Sequence, residues 1–310
     1  MLRSTFLFLI MLCSLPLLAQ TTETEYKLMR EDKSFIHYYL TRFNISDSSD
    51  SLLLVLQGSD CNSVTKIKSV YELYNNVLPN SDMLLVEKYG ISSSLAYDKN
   101  PERKDCPASF IANDAISQRV QDAESALNVV MSKKKYKDVI LIGGSEGAVV
   151  ANLLSGKLPF ITATISFNGG GQKFINDVIY NISKTSKSAS EANDAISGIT
   201  GFSQHIVNSG PSEIVVSGHG YKWWKEMLVA DQLNILDKVT NPVLIIQGGE
   251  DIAVSPEKVN SMINKLQSKS KGNIHYQFYP HLDHNFNNLK GDNEIDKVTL
   301  GMKEWLKGLH

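Results

Sequence analysis

Short runs of consecutive apolar residues, each closing on glycine or a polar cluster, set the frame of this chain. Leu52-Leu53-Leu54-Val55-Leu56 ends at Gln57-Gly58-Ser59-Asp60, and Met83-Leu84-Leu85-Val86 leads into Glu87-Lys88-Tyr89-Gly90 and a long polar loop. Val139-Ile140-Leu141-Ile142 breaks into Gly143-Gly144-Ser145-Glu146-Gly147. Thr162 to Phe167 ends at Asn168-Gly169-Gly170-Gly171, and Val243-Leu244-Ile245-Ile246 at Gln247-Gly248-Gly249-Glu250-Asp251. Ile274 to Tyr279 supplies a last run. Segments this short and this continuous read as strands buried on both faces. Tyr26 to Phe43 alternates loosely and reads as an opening antiparallel hairpin.

Between the strands the period changes. Val64 to Val77 has helical spacing and stops before Pro79. Asn113 to Lys135 places Ala115, Ile116, Val120, Ala123, Leu127 and Val130 at helical intervals, Ala148 to Leu154 suits a buried helix, and Glu294 to Leu309 a closing one. Strands alternating with helices predict an α/β fold, a mainly parallel sheet with helices on both faces. The stretch from Gln172 to Asp237 interrupts the rhythm. It is polar and helix-like, carries Tyr221-Lys222-Trp223-Trp224, and reads as a cap inserted between residues 20–171 and 238–310 of one core.

Composition changes this picture little. Of 310 residues, 42% are apolar and 21% charged, with a formal net charge of −2, which suits one large globular domain. Without a basic excess, nothing points to nucleic acid. The N-terminus is more telling. Met1-Leu2-Arg3, the apolar stretch through Leu12 and Ser14-Leu15-Pro16-Leu17-Leu18-Ala19 form a secretory signal, with cleavage expected after Ala19. A membrane anchor is the competing reading, but the run is short and no basic stop follows. Cys13 does not make a lipoprotein signal, because Leu12 precedes it where a small residue is expected. The expected location is secreted or periplasmic, with no stable membrane insertion. Cys61 and Cys106 then remain, a candidate disulfide joining the loops after two successive strands, or else two free thiols.

The candidate chemistry starts at Ser145. Gly143-x-Ser145-x-Gly147 between a strand and a helix puts the serine on a sharp corner with its hydroxyl exposed. A Cβ at Gly143 or Gly147 would crowd the neighbouring strand or helix. The helix start also aims free N–H groups at that spot. A serine hydroxyl needs a base, and the base an orienting carboxylate. Open α/β sheets place such groups at the C-terminal ends of strands. Asp251 and His284 follow the two last strands.

The order Ser145, Asp251, His284, the Gly-x-Ser-x-Gly corner, the Gly248-Gly249-Glu250-Asp251 loop and Leu282-Asp283-His284-Asn285-Phe286 together resemble the α/β-hydrolase superfamily. More narrowly, the chain looks similar to secreted bacterial serine peptidases and acyl hydrolases. The resemblance spans about Tyr26 to Leu309. It implies an eight-stranded sheet opened by the hairpin, the cap inserted after the sixth strand, and an oxyanion hole made by the backbone N–H groups of Glu146 and Ser59. Relatives often carry His-Gly where this chain has Gln57-Gly58. An aspartate would stand at position 145 in a dehalogenase.

Several choices stay open at this level. Glu250 competes with Asp251, and His281 with His284. The two histidines could suggest a metal, but no third ligand accompanies them. Glu146 reads as a solvent-facing or cap-contacting residue. Tyr221, Trp223 and Trp224 are candidates for a substrate pocket, or for simple cap packing. His205 and His219 read as polar surface. The expectation is a serine hydrolase acting without a cofactor on a small ester or amide. A peptidase would need a carboxylate for a free amine, such as Glu213 or Glu226. A binding protein on the same fold is the non-catalytic rival. Gly169-Gly170-Gly171 lacks the spacing of a dinucleotide site. The oligomeric state is left open.

Overall fold

The structure is a computed structural model that describes residues 22–42, 49–71, 75–100 and 103–309. The expected signal segment Met1 to Ala19, with Cys13, lies outside the described residues, as does Phe43. Among the described residues, no helix is long and apolar enough to cross a membrane.

Eight strands form one sheet: β1 (Thr22–Met29), β2 (Phe35–Arg42), β3 (Ser51–Leu56), β4 (Asp82–Val86), β5 (Asp138–Gly144), β6 (Ala163–Phe167), β7 (Val243–Gly248) and β8 (Ile274–Tyr279). Their spatial order is β1-β2-β4-β3-β5-β6-β7-β8. The hairpin β1-β2 is antiparallel and meets β4 antiparallel; every other pairing is parallel.

The apolar runs are continuous because both faces of the sheet are covered. Leu52, Leu54 and Leu56 of β3 point to one side, where α3 (Ile116–Lys133) and α4 (Glu146–Lys157) bring Val120, Leu127, Val150 and Leu154. Leu53 and Val55 point to the other, against Val298, Met302 and Leu306 of α10 (Ile295–Lys307). Each side chain of this size removed fully from water contributes about 1.5–3 kcal/mol.

Two helical readings shift. The Val64 to Val77 stretch is not one helix. A 3-10 turn at Val64–Lys66 ends at an extended Ile67, helical turns resume over residues 68–71, and α1 spans Asn75–Val77. Its β-branched Val64, Thr65 and Ile67 resist helix formation, and the Glu87 carboxylate pins its start through the Ser63 hydroxyl and the Val64 amide. The loop after β4 contains a short helix, α2 (Ala108–Asn113), and Asp114 and Ala115 are extended before α3 begins.

Cys61 and Cys106 form a disulfide that joins the loops after β3 and β4 across 45 residues of sequence. It holds Cys61 beside Ile91 and Phe110 in a small apolar cluster of its own. Reduction is expected to cost about 2–4 kcal/mol. Urea unfolding with and without reductant measures this, and coincident midpoints would contradict it.

Between β6 and β7 lie four helices: α5 (Phe174–Thr185), α6 (Ala189–Asn208), α7 (Tyr221–Val229) and α8 (Gln232–Lys238). An aromatic knot joins the first three. Trp224 packs edge-on against Phe202 at 5.0 Å and against Trp223 at 5.1 Å, and Phe174 meets Trp223 at 5.5 Å. Through Leu236, α8 joins the cluster formed by Val259, Met262 and Leu266 of α9 (Pro256–Ser268) on the flank of β7.

Candidate active site

Ser145 follows β5 directly and holds φ +53°, ψ −123°, a left-handed setting that a non-glycine residue adopts only under constraint. The constraint is visible. Its N–H donates to Phe167 O of β6 at 2.9 Å, and the glycines around it let three backbones meet. A Cβ at Gly143 would lie 2.1 Å from Gly147 O, and one at Gly147 2.1 Å from Leu56 O of β3. Helix α4 therefore starts tight against the sheet, with its N-terminal dipole end at the serine.

His284 and Asp251 come from the loops after β8 and β7. Asp251 is fully buried and saturated. Oδ1 accepts from the amides of Ala253 and Val254 at 2.8 and 2.9 Å; Oδ2 accepts from Gln247 Nε2 at 3.0 Å and pairs with His284 Nδ1 at 2.8 Å. A carboxylate with four donors has its charge compensated and its direction fixed. The pairing at Nδ1 leaves Nε2 of the imidazole for the cavity. Glu250 and His281 are exposed and do not line this cavity. Asn168, read in the sequence only as the start of a loop, ties the arrangement together: its Nδ2 donates to His284 O at 2.8 Å, and its Oδ1 accepts from Gly248 N at 3.1 Å.

The loop after β3 lies against Ser145; a Cβ built at Gly58 would be 3.7 Å from the Ser145 Cβ. Two buried cations hold that loop by its carbonyls. Arg119 Nη2 donates to Gln57 O at 2.8 Å, and Lys88 Nζ to Asp60 O at 2.5 Å. Ser59 and Glu146 both line the cavity, and among the described residues neither of their amides has an acceptor.

Glu146 is not solvent-facing. It is 3% exposed, paired with the Arg119 guanidinium, and accepts from Trp223 Nε1 at 2.5 Å, so it does contact the inserted helices. Burial alone would raise its carboxyl, but Arg119 and Lys88 outweigh that and hold it well below the usual carboxylate range. His219 is a correction. It is buried rather than on the surface, because the Val216–His219 turn folds it inward to stack on Trp223 at 3.7 Å. Burial lowers its pKa to about 4, so it is neutral near pH 7. Asp114, beside Lys88, has both carboxyl oxygens buried without a partner among the described residues, and burial raises its pKa. His205 is exposed.

Ser145, His284, Ser59, Glu146 and Asn168 line one cavity of about 130 Å³, walled by Val149, Phe174, Trp223, Met227 and Val254. Of the three aromatic candidates, only Trp223 reaches it. Trp224 is spent on packing, and Tyr221 donates to Ser209 O at 2.5 Å and lines a separate groove with Glu213. Glu226 bonds the Ser117 amide and hydroxyl at 2.7 and 2.6 Å beside another large groove. Neither glutamate lines the serine cavity. Besides Glu146, the carboxylate that does is Asp177, in the first turn of α5, which local sequence offers no reason to single out.

A serine on a strained corner, an imidazole fixed by a buried carboxylate and two free amides is an arrangement suited to acyl transfer. Comparison with known proteins bears on it. The family model described as BAAT / Acyl-CoA thioester hydrolase C terminal matches residues 123–288, just over half of the chain. Among solved structures, Est1E from Butyrivibrio proteoclasticus is similar with a TM-score of 0.59 at 15% identity, over 92% of this chain and 98% of that one. A highly thermostable carboxyl esterase from Bacillus coagulans gives 0.61 at 13%, over 93% and 98%. The Pyrococcus horikoshii acylaminoacyl peptidase gives 0.61 at 11%, over 93% of this chain but only 41% of that one. At these identities the likeness is one of fold, the α/β-hydrolase fold. Among curated proteins none matches the chain.

Proposed function

The chain belongs to the BAAT / acyl-CoA thioester hydrolase C-terminal family, and we propose that it is a serine hydrolase cleaving an ester, thioester or amide carbonyl through an acyl-enzyme. Ser145 Oγ attacks the carbonyl carbon while its proton passes to His284 Nε2. The imidazolium then gives that proton to the leaving group as the scissile bond breaks. Water, deprotonated by the same imidazole, releases the acid and restores the serine. Asp251 keeps the imidazole in the required tautomer and stabilises its charged form. The amides of Ser59 and Glu146 receive the developing oxyanion, each donor contributing about 3–4 kcal/mol in the transition state.

One observation carries this reading: an imidazole held by a saturated, fully buried carboxylate opens onto the same cavity as a strained serine. The esterases and peptidase of similar fold, and the thioesterase description of the family, support hydrolysis as the reaction class. The helices inserted after β6 act as the cap, with Trp223 closing the cavity. The disulfide agrees with an oxidising compartment, where the N-terminal signal would deliver the protein.

The test is turnover of a short-chain nitrophenyl ester, a short-chain thioester and an aminoacyl anilide, with the Ser145→Ala protein as blank. Ser145-dependent cleavage of the ester or thioester is expected. Folded protein that cleaves none of the three would overturn the proposal, and cleavage of the anilide alone would make it a peptidase.

A further inference from the structure

The cavity holds a buried carboxylate that the reaction just described does not use. Asp177 is 4% exposed. Its Oδ1 accepts from the Ser255 amide at 3.1 Å and from Gln172 Nε2 at 3.3 Å, which ties α5 to the start of α9. Among the described residues, Oδ2 has no donor. Space is kept open beside that oxygen by Gly170 at φ +91°, where an added Cβ would come within 2.9 Å of it. No lysine or arginine lines the cavity, and its other carboxylate, Glu146, is neutralised by Arg119. Burial raises the Asp177 carboxyl to about 6 against the pull of its two hydrogen bonds, the behaviour of an acid short of donors.

A buried carboxylate without a counter-charge is costly unless a partner arrives. Here the partner must come from whatever enters the cavity. The geometry points to Asp177 Oδ2 as the anchor for a protonated amine on the substrate, so that the enzyme acts on small amine-bearing acyl compounds, aminoacyl esters or amides. This rests on the hydrolase reading and narrows its substrate class. The ammonium donates to Oδ2, with the rings of Phe174 and Trp223 as cavity wall. The small volume limits the acyl part to a few heavy atoms, well below the usual drug-sized pocket. Asp177 also meets the requirement that Glu213 and Glu226 do not, a carboxylate in the same cavity as the serine.

Alanine methyl ester and methyl propionate differ only by the amine and form the test pair. Each is assayed with the wild-type protein and with Asp177→Asn, which keeps an oxygen for Ser255 and Gln172 while removing the charge. The Asp177→Asn protein is expected to lose at least about tenfold in kcat/KM on alanine methyl ester while staying within about twofold on methyl propionate, because a charge-assisted hydrogen bond is lost for the first ester only. An unchanged ratio of the two esters in Asp177→Asn overturns the inference. If that variant does not fold, the wild-type protein decides. Competition by ethylamine against methyl propionate hydrolysis supports the anchor, and ethylamine without effect up to high concentration overturns it. Fluorophosphonate labelling of Ser145 on the same samples keeps the two levels apart. Label without amine dependence sinks the anchor alone, whereas folded protein without label sinks the hydrolase reading and the anchor with it.

Discussion

Replacing Ser145 by alanine is expected to lower kcat by at least about 10⁴ while the protein stays folded and KM moves little. The substitution removes one hydroxyl from a half-buried residue and leaves the tight backbone contacts of Gly143 and Gly147 in place. The cavity, the imidazole and the free amides persist, so substrate still binds and a residual rate over water survives. A fall in KM-related binding rather than in kcat would mean that Ser145 only contacts the substrate. Asp251→Asn should follow the same pattern with a smaller loss, because the His284 ring would then be held in the wrong tautomer.

Replacing Arg119 by methionine should be the most damaging single change away from the reacting atoms. Arg119 compensates the Glu146 carboxylate and holds the Gln57 carbonyl, with 6% of its side chain exposed. Its loss leaves a buried carboxylate facing only Lys88 and the Trp223 indole, and breaking a buried pair in this way costs about 3–5 kcal/mol. The urea midpoint measures that cost. The loop after β3 would also lose one of its two cationic tethers, so kcat should fall by about tenfold or more in whatever protein folds. The double variant R119M/E146Q separates the causes. It should regain part of the stability, since the Arg119 charge and the carboxylate it compensates are removed together while Lys88 stays beside Asp114, but not the rate. If the single and double variants unfold at the same urea concentration, the buried charge is not the source of the loss.

What could be read from the sequence and what could not differ in the range over which the information acts. The strands β3, β4, β5 and β7 declare themselves because a segment buried on both faces must be apolar at every position, a local pattern. The corner at Ser145 is equally local: Gly143 and Gly147 stand where backbones approach too closely for a side chain. Strand ends order Asp251 and His284 along the chain, and the structure sets them 2.8 Å apart. The charged cluster of Lys88, Asp114, Arg119 and Glu146 was not legible, because each member looks like an ordinary surface residue until α3 and the loop after β4 are folded against α4. Asp177 was missed for the same reason, since the start of α9 that binds it lies 78 residues away, and His219 because only the fold of the Val216–His219 turn shows that it stacks inward on Trp223. The short helix α2 hid inside a polar loop because its only buried residue is Phe110. Where β-branched residues crowd a helical spacing, as from Val64 to Ile67, periodicity does not reveal the break, because the extended Ile67 interrupts turns whose spacing continues past it.

The proposed function requires above all that the Ser145 hydroxyl react as an activated nucleophile. Peptide mapping of folded protein after reaction with a fluorophosphonate tests that directly. The expected result is a single adduct on the peptide carrying Ser145, abolished in His284→Ala. An adduct on another serine, or labelling at Ser145 that is equally fast without His284, would contradict it.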